Sequence, residues 1–371
     1  MLKAARDHNA NFSTIRLSQE LKQQLPAWFQ TGADHWAINT RSAKCLLHKH
    51  KVKTIADLMK ASARIRDNAS HSNHRPTNYC NCPACADDQR KDCVHLHDCA
   101  TEALARINKT LPKWNPLGPG IRHDNLSLTN RRKEQNKQAR EENGKIIFDP
   151  SITTKEDLSE CFRVFTNPQR TTKLSAQRPQ NNGANTRYNE TIIHTDGSCT
   201  DNGKENAKSG GGVWFGLNDP RNTALRIPGT LQSNQIGELA AVIAALQKTP
   251  HFIPLEIASD SMYVINGLTQ NLRKWEDQGW IGIDNTALFK KAAYLLKNRS
   301  AKTSFRWVKG HNGILGNEES DKLVKEGAQK DVSDELNLEI PVEFDLQGAK
   351  IRTIDQKTAY RGITESKPKP P

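Results

Sequence analysis

Apolar positions change their spacing along this chain. Between Leu17 and Trp28, and again from Thr54 to Ile65, they recur at the spacing of one helix face. Thr54-Ile55-Ala56-Asp57 has the form of a capped helix start, which predicts a helix through Met59 to Ile65. Trp28, Phe29 and Trp36, between the two runs, are expected to form a small core rather than a base-stacking platform. A short amphipathic run follows at Thr101 to Asn108. After Leu111-Pro112 the chain turns polar, with Pro116-Leu117-Gly118-Pro119-Gly120, and then densely charged from Arg131 to Glu142. That pattern suits a linker or an exposed helix. Arg131-Arg132-Lys133 would serve as a nuclear signal or simply as a solvated face. A second polar stretch, Ser175 to Asn189, is the better domain boundary.

From Glu190 the texture becomes alternating strands and helices. Thr191 to Thr195, Gly210 to Phe215 and Thr223 to Ile227 read as three strands separated by turn residues. Ser233 to Leu246 places Ile236, Leu239, Ala240, Ile243 and Leu246 on one helical face. A buried strand at Leu255 to Ala258, helices at Asp260 to Leu268 and Asn285 to Leu296, a strand at Thr303 to Val308 and a helix at Asn317 to Ala328 follow. Three strands joined by turns and then helix-strand alternation predict an α/β domain, a five-stranded mixed sheet with flanking helices. The organisation read from the chain is a mostly helical Cys/His-rich region (1–110), a basic and polar linker (111–189), the α/β domain (190–331) and a tail (332–371).

Charge sharpens this division. The net charge is +13, but residues 190–331 carry 17 Lys/Arg against 16 Asp/Glu, while residues 1–189 carry 31 against 18. The surplus lies in the N-terminal half, the better electrostatic tether for a phosphate backbone. Leu239 to Leu246, the longest apolar stretch, is too short to span a bilayer, and Met1-Leu2-Lys3-Ala4-Ala5-Arg6-Asp7 is followed by polar residues rather than an apolar signal core. A soluble, intracellular protein is expected, with nucleus or cytoplasm and the oligomeric state left open.

The chemistry concentrates in acidic residues at element ends. Asp196 closes the strand Thr191-Ile192-Ile193-His194-Thr195, Glu238 lies one turn into a helix, Asp260 follows Ile257-Ala258-Ser259, and Asp321 sits in Gly316-Asn317-Glu318-Glu319-Ser320-Asp321. In open α/β sheets ligands bind at the carboxyl ends of strands, where Asp196 and Asp260 both fall. Four such carboxylates are what a two-metal phosphodiester cleavage site needs, because hard oxygen donors hold magnesium.

Asp196-Gly197-Ser198, Glu238, Asp260-Ser261, Trp307-Val308-Lys309-Gly310-His311 and Asn317-Glu318-Glu319-Ser320-Asp321 resemble the type-1 ribonuclease H family in order, type and spacing, over about residues 190–331. The resemblance implies an endonuclease that hydrolyses the RNA strand of RNA-DNA hybrids. Asp196, Glu238, Asp260 and Asp321 would hold two magnesium ions, with manganese an alternative, and His311 in its glycine-flanked stretch would assist proton transfer or product release. It further implies that Asn234 and Gln235 contact sugar and base edges, that Cys199 and Glu238 lie near the 2'-hydroxyls, and that Ser233 and Asn202 sit by a phosphate of the DNA strand. Asn234 and Ser233 also suit a plain helix start. Trp275 and Trp280 would form a substrate-gripping handle or pack in the core; Glu276-Asp277 between them stand where many relatives are basic. The loop Thr200 to Ser209 is longer and more polar than usual for the family.

Cys80, Cys82, Cys85, Cys93, His95, His97 and Cys99 offer seven soft ligands within twenty residues. Zinc takes four in a closed structural site. One site using a subset is expected, or two if a more distant ligand such as His71 or His74 joins. This array, with Phe148-Asp149-Pro150-Ser151-Ile152-Thr153, resembles ribonuclease-H-bearing proteins of fungal mobile elements. The rival readings are a catalytically inactive nucleic-acid-binding remnant of such an element and a zinc-stabilised interaction module. The intact carboxylate set favours the enzyme.

Overall fold

The structure, a computed structural model, describes residues 2–29, 38–66, 74–118, 125–179 and 188–366. Trp36 and His71 lie outside the described residues, as do Pro119, Gly120 and residues 180–187 of the expected domain boundary.

The N-terminal region contains α1 (Leu2–Asp7), β1 (Asn11–Phe12), β2 (Arg16–Leu17), α2 (Gln19–Gln24), α3 (Arg41–His48), α4 (Ile55–Arg66), α5 (Pro83–Gln89) and α6 (Leu96–Lys109). The helix expected through Trp28 is short because Leu25 precedes Pro26 and is pushed to an extended ψ of 146°. Helix α4 starts where predicted. The Asp57 carboxylate accepts from the Lys53 and Thr54 amides at 2.9 and 2.8 Å, and the Thr54 hydroxyl accepts from the Asp57 amide at 3.4 Å, a reciprocal cap. Leu17, Leu21, Leu46, Ile55, Leu58, Leu96 and Ile107 are buried together, with Trp28 at their edge donating its indole N–H to Val52 O at 2.7 Å. Phe29 does not join them; it is 73% exposed.

The stretch expected to be a linker carries α7 (Asn130–Glu141), β3 (Lys145–Ile147), β4 (Thr153–Thr154) and β5 (Phe162–Val164). Helix α7 is polar nearly all round, which hid its one buried anchor. Asn136 accepts from the Ile147 amide at 2.9 Å and donates to the Ile147 carbonyl at 2.8 Å, pinning β3.

The α/β domain contains β6 (Thr191–Thr200), β7 (Lys208–Trp214), β8 (Thr223–Arg226), α8 (Asn234–Lys248), β9 (Leu255–Ser259), α9 (Met262–Asn266), α10 (Leu272–Asp277), α11 (Thr286–Lys297), β10 (Thr303–Trp307) and α12 (Leu315–Gln329). A π-helical turn, Gly267–Asn271, joins α9 to α10. The sheet order is β3-β10-β9-β6-β7-β8, with β10, β9 and β6 parallel and the outer pairings antiparallel. Six strands therefore replace the five expected, the sixth being β3 from outside residues 190–331. Strand β9 is buried at all five positions, as a parallel strand covered on both faces must be. Leu255 and Ile257 of β9 share one core with Leu239, Ile243, Phe289 and Phe305, all fully buried.

The C-terminal segment is not a loose tail. It carries β11 (Ala349–Lys350) and α13 (Gln356–Ser366), and Asp334 accepts from the Arg226 amide at 2.6 Å. A three-stranded sheet, β1-β5-β11, gathers strands from the N-terminal, middle and C-terminal parts of the chain. On its β5 strand the buried Arg163 donates to Glu276 O and Gly348 O, each at 2.7 Å, and pairs with Asp277 at 3.3 Å. Among the described residues no helix is long and apolar enough to cross a membrane.

Candidate active site

Strand β6 delivers Asp196. Its parallel register with β9 runs from Thr191 opposite Leu255 to His194 opposite Ala258. Continued two residues, the same offset sets Asp196 abreast of Asp260, just past the end of β9. Asp196 is not itself the end of its strand, because β6 runs on to Thr200 in an antiparallel pair with β7, with Asp196 opposite Gly212.

Two helices bring the other carboxylates. Helix α8 begins at Ser233, whose hydroxyl accepts from the Ile236 amide at 3.3 Å. Its first turn rests on β6 and β7 with no side chain between. A Cβ on Gly197 would lie 2.0 Å from the Glu238 nitrogen, and one on Gly237 would lie 2.4 Å from Gly210 O. Glycine at both positions is what lets Glu238 stand beside Asp196. On the opposite face, Cβ atoms at Gly210 and Gly212 would strike Val324 O and Ser320 O at 2.2 and 2.1 Å. Helix α12 thus lies on the bare backbone of β7, with Asp321 next to the contact. Lys325, one turn on, pairs with Asp321 at 2.6 Å.

The electrostatics show which groups these elements bring together. Burial, the like charge of Asp260 and that of Asp321 push the Asp196 carboxyl up to about 7, against the opposing effects of its hydrogen bond from the Gly197 amide and of His311. Burial, then Asp260 and Asp196, push Glu238 up to about 8. The Ser261 hydroxyl donates to Glu238, a contact the sequence motif contained without revealing its role. Asp260 is held from behind: the Trp307 indole N–H donates to its carbonyl at 3.0 Å, and a Cβ on Gly310 would sit 2.6 Å from its Oδ2. His311 is exposed and has a left-handed φ of 51°, beside Gly313 at 71°. All four carboxylate residues are half-buried, so a cation can reach them from solvent.

Of the expected substrate contacts, Asn234 and Gln235 are exposed in the first turn of α8 and Cys199 is half-exposed on β6. Asn202 lies in the exposed turn after β6. The tryptophans correct the handle reading. Trp280 is only 6% exposed, and the Trp275 ring stands 4.8 Å from that of Phe289 with its edge toward the ring face. The acidic pair between them faces cations of this chain: Glu276 meets Lys297, and Asp277 meets Arg163 and Lys350. The acidic pair is thus neutralised within the chain, by Lys297 of the same domain and by Arg163 and Lys350 of the flanking segments.

In the N-terminal half two Cys/His groups could hold zinc: Cys45, His50, Cys93 and Cys99, and His74, Cys80, Cys82 and Cys85. All five expected cysteines belong to them. His95 and His97 do not; His97 instead stacks on His74 with ring centroids 5.7 Å apart. Cys45 and His50 were missed because they lie some thirty residues upstream of the dense run, although their own spacing is a ligand-like one.

Residues 188–329 match the family model described as RNase H. The Ribonuclease H of Polaromonas sp. is 31% identical over 151 residues, covering 39% of this chain and 92% of that protein. Ribonuclease H1 of Homo sapiens is 35% identical over 144 residues, covering 38% of this chain and 50% of that protein. Ribonuclease H of Schizosaccharomyces pombe is 38% identical over 144 residues, covering 38% and 53%. The chain thus spans about half the length of the human and fission-yeast relatives it matches.

Proposed function

Since this chain belongs to the ribonuclease H family through residues 188–329, we propose that it is a divalent-metal-dependent endonuclease that cuts the RNA strand of RNA-DNA hybrids, leaving 5'-phosphate and 3'-hydroxyl ends. The observation that carries the reading is the pair of carboxyls, Asp196 and Glu238, raised to about 7 and about 8 by burial and by their acidic neighbours. A scaffold that forces like charges together in this way stores repulsion that a bound cation relieves. Asp196, Glu238, Asp260 and Asp321 would hold two magnesium ions, or manganese. When bound, these ions supply a nucleophilic water at neutral pH and stabilise the leaving oxygen.

The chain's own groups do the rest. Asp196 and Glu238 would give up their protons to hold a cation, and Asp321 would turn to it from Lys325. Ser261 holds the Glu238 carboxylate in orientation. His311, on its glycine-flanked turn, lies close enough to lower the Asp196 pKa and would assist proton transfer at the leaving group or product release. Asn234, Gln235 and Cys199 read the ribose edge, and Ser233 and Asn202 meet the DNA strand. With Trp275 and Trp280 withdrawn into the core, affinity for the duplex falls to the basic N-terminal half. The thiol and imidazole groups of that half are read as structural zinc sites.

The test is cleavage of end-labelled hybrid, double-stranded RNA and double-stranded DNA by the full chain with magnesium. RNA cut only in the hybrid is expected. A chain that binds the hybrid and leaves it whole would instead be an inactive nucleic-acid-binding remnant.

A further inference from the structure

We propose that the N-terminal half holds two separate zinc ions, one on Cys45, His50, Cys93 and Cys99 and a second on His74, Cys80, Cys82 and Cys85, and that Asp88 couples them. The inference rests on reading these groups as zinc sites and adds how they divide and why.

The distances are those between donors around a common ion. Tetrahedral zinc with bonds of about 2.3 Å to sulfur and about 2.05 Å to nitrogen has donor-donor edges of about 3.8 Å between sulfurs and about 3.5 Å between nitrogen and sulfur. In the first group Cys45 Sγ lies 3.6 Å and Cys99 Sγ 3.7 Å from Cys93 Sγ. In the second, His74 Nδ1 lies 3.5 Å from Cys85 Sγ and 3.7 Å from Cys82 Sγ. These are far too long for disulfides, which close to about 2.05 Å. Within each group all four donor atoms lie within 4.8 Å of one another. Five of the six thiols are buried and Cys45 is half-buried, so both sites are closed, as structural zinc sites are.

The imidazoles are set as ligands. His50 Nε2 is buried and has no hydrogen-bond partner, a costly state for a ring nitrogen unless it meets a metal. Its other nitrogen, Nδ1, lies 3.1 Å from Asp88, whose second oxygen takes Arg64 at 2.5 Å. A carboxylate behind a histidine fixes the tautomer that presents the free nitrogen to zinc. In the second site the order of nitrogens is reversed: His74 Nδ1 faces the thiols and Nε2 lies 3.4 Å from His97 Nδ1. His97, expected as a ligand, is therefore a positioning residue. The Arg75 amide donates to Cys80 Sγ at 3.2 Å, a contact that favours the thiolate a zinc ligand must be.

The coupling follows from sequence. Asp88 lies on α5, three residues after Cys85 of the second site, and it orients His50 of the first. Loading the second site fixes the start of α5 and with it the carboxylate on which the first site depends.

Zinc counted by mass spectrometry on the dialysed full chain is expected at two per molecule, falling to one in Cys45→Ser. Cys161→Ser and His95→Ala should keep two. The wild type supplies a second measurement that does not depend on the folding of a serine variant: cobalt substitution should develop tetrahedral ligand-field bands that saturate at two equivalents, and a mercurial should release both metals over six thiols. Asp88→Asn, assayed by competition with a chromophoric chelator, should weaken the first site about 10- to 100-fold while leaving the second within about threefold. No zinc at all would overturn the zinc reading itself. One equivalent, or full retention in Cys45→Ser, would overturn the two-site division alone, and a first site in Asp88→Asn as tight as that of the wild type would overturn the coupling.

Discussion

The molecule carries two kinds of cluster whose side chains are of metal-ligating type, built on opposite principles. The carboxylate cluster takes its side chains from four separate places, β6, α8, the loop after β9, and α12, and holds them half-open to solvent. The Cys/His clusters take theirs from short helices and the loops between them, and bury them. In the first, a large sheet-and-helix core with glycine contacts pays the cost of crowding like charges. In the second, the buried cysteines are themselves part of the apolar core of Leu17, Leu46, Ile55, Leu58 and Leu96, so a bound ion would tie the short helices to that core. Exposed hard oxygens suit exchangeable cations that take part in chemistry, and buried soft donors suit a permanent ion that shapes the fold.

Substitution at the open cluster should separate chemistry from folding. Asp196→Asn and Glu238→Gln each remove a ligand, and loss of several kcal/mol of charge stabilisation implies cleavage slowed about 1,000-fold or more. Thermal unfolding of either variant without metal should be unchanged or raised, because a charge in a repulsive group has gone; near-normal turnover would refute the assignment. The tryptophans sharpen the contrast in the other direction. Trp280→Ala should destabilise the protein by about 3–5 kcal/mol, measured by denaturant unfolding. A weakened KM with unchanged stability would restore the handle reading.

The pH dependence has a definite sign. Asp196 and Glu238 have folded-state pKa values raised to about 7 and about 8, above those of the unfolded chain, so the folded state binds more protons than the unfolded between roughly pH 4 and 8. Their contribution is most favourable below that window and is lost as pH rises through it. Without added magnesium, the melting temperature of the wild type should therefore fall relative to that of the Asp196→Asn, Glu238→Gln double variant as pH rises from 5 to 8, and magnesium should restore it more at pH 8 than at pH 6. Parallel curves for the two proteins would remove the electrostatic basis of the site. The smallest effect is expected at Lys325. Its pair with Asp321 is solvent-exposed on the lysine side, so Lys325→Ala should change stability by less than about 1 kcal/mol and lower the magnesium needed for half-maximal cleavage only slightly. A large rise in that requirement would give Lys325 a role in holding the site rather than in screening it.

The same contrast explains what could be read from the chain alone. Asp196, Glu238 and Asp321 lie within elements that hydropathy marks well, Asp260 follows another, and a parallel register of constant offset carries Asp196 to Asp260. Ligands from separate elements leave one motif per element, so their order is informative. The zinc division was not legible because seven donors in twenty residues allow many quartets, and Cys45 and His50 are recruited by tertiary packing of α3 against α6. Strand β3 was missed because three residues, Lys145–Ile147, give no period, and the choice between linker and exposed helix at α7 stayed open because its only buried side chain, Asn136, is polar. The role of Trp275 and Trp280 depended on whether Arg163 and Lys350, more than seventy residues away, would cover the acidic pair between them.

The most direct measurement is manganese binding to the zinc-replete full chain at pH 8, counted by electron paramagnetic resonance. The account expects saturable binding by the wild type that magnesium displaces, and its loss in both Asp196→Asn and Glu238→Gln. Binding in those variants indistinguishable from the wild type would contradict it.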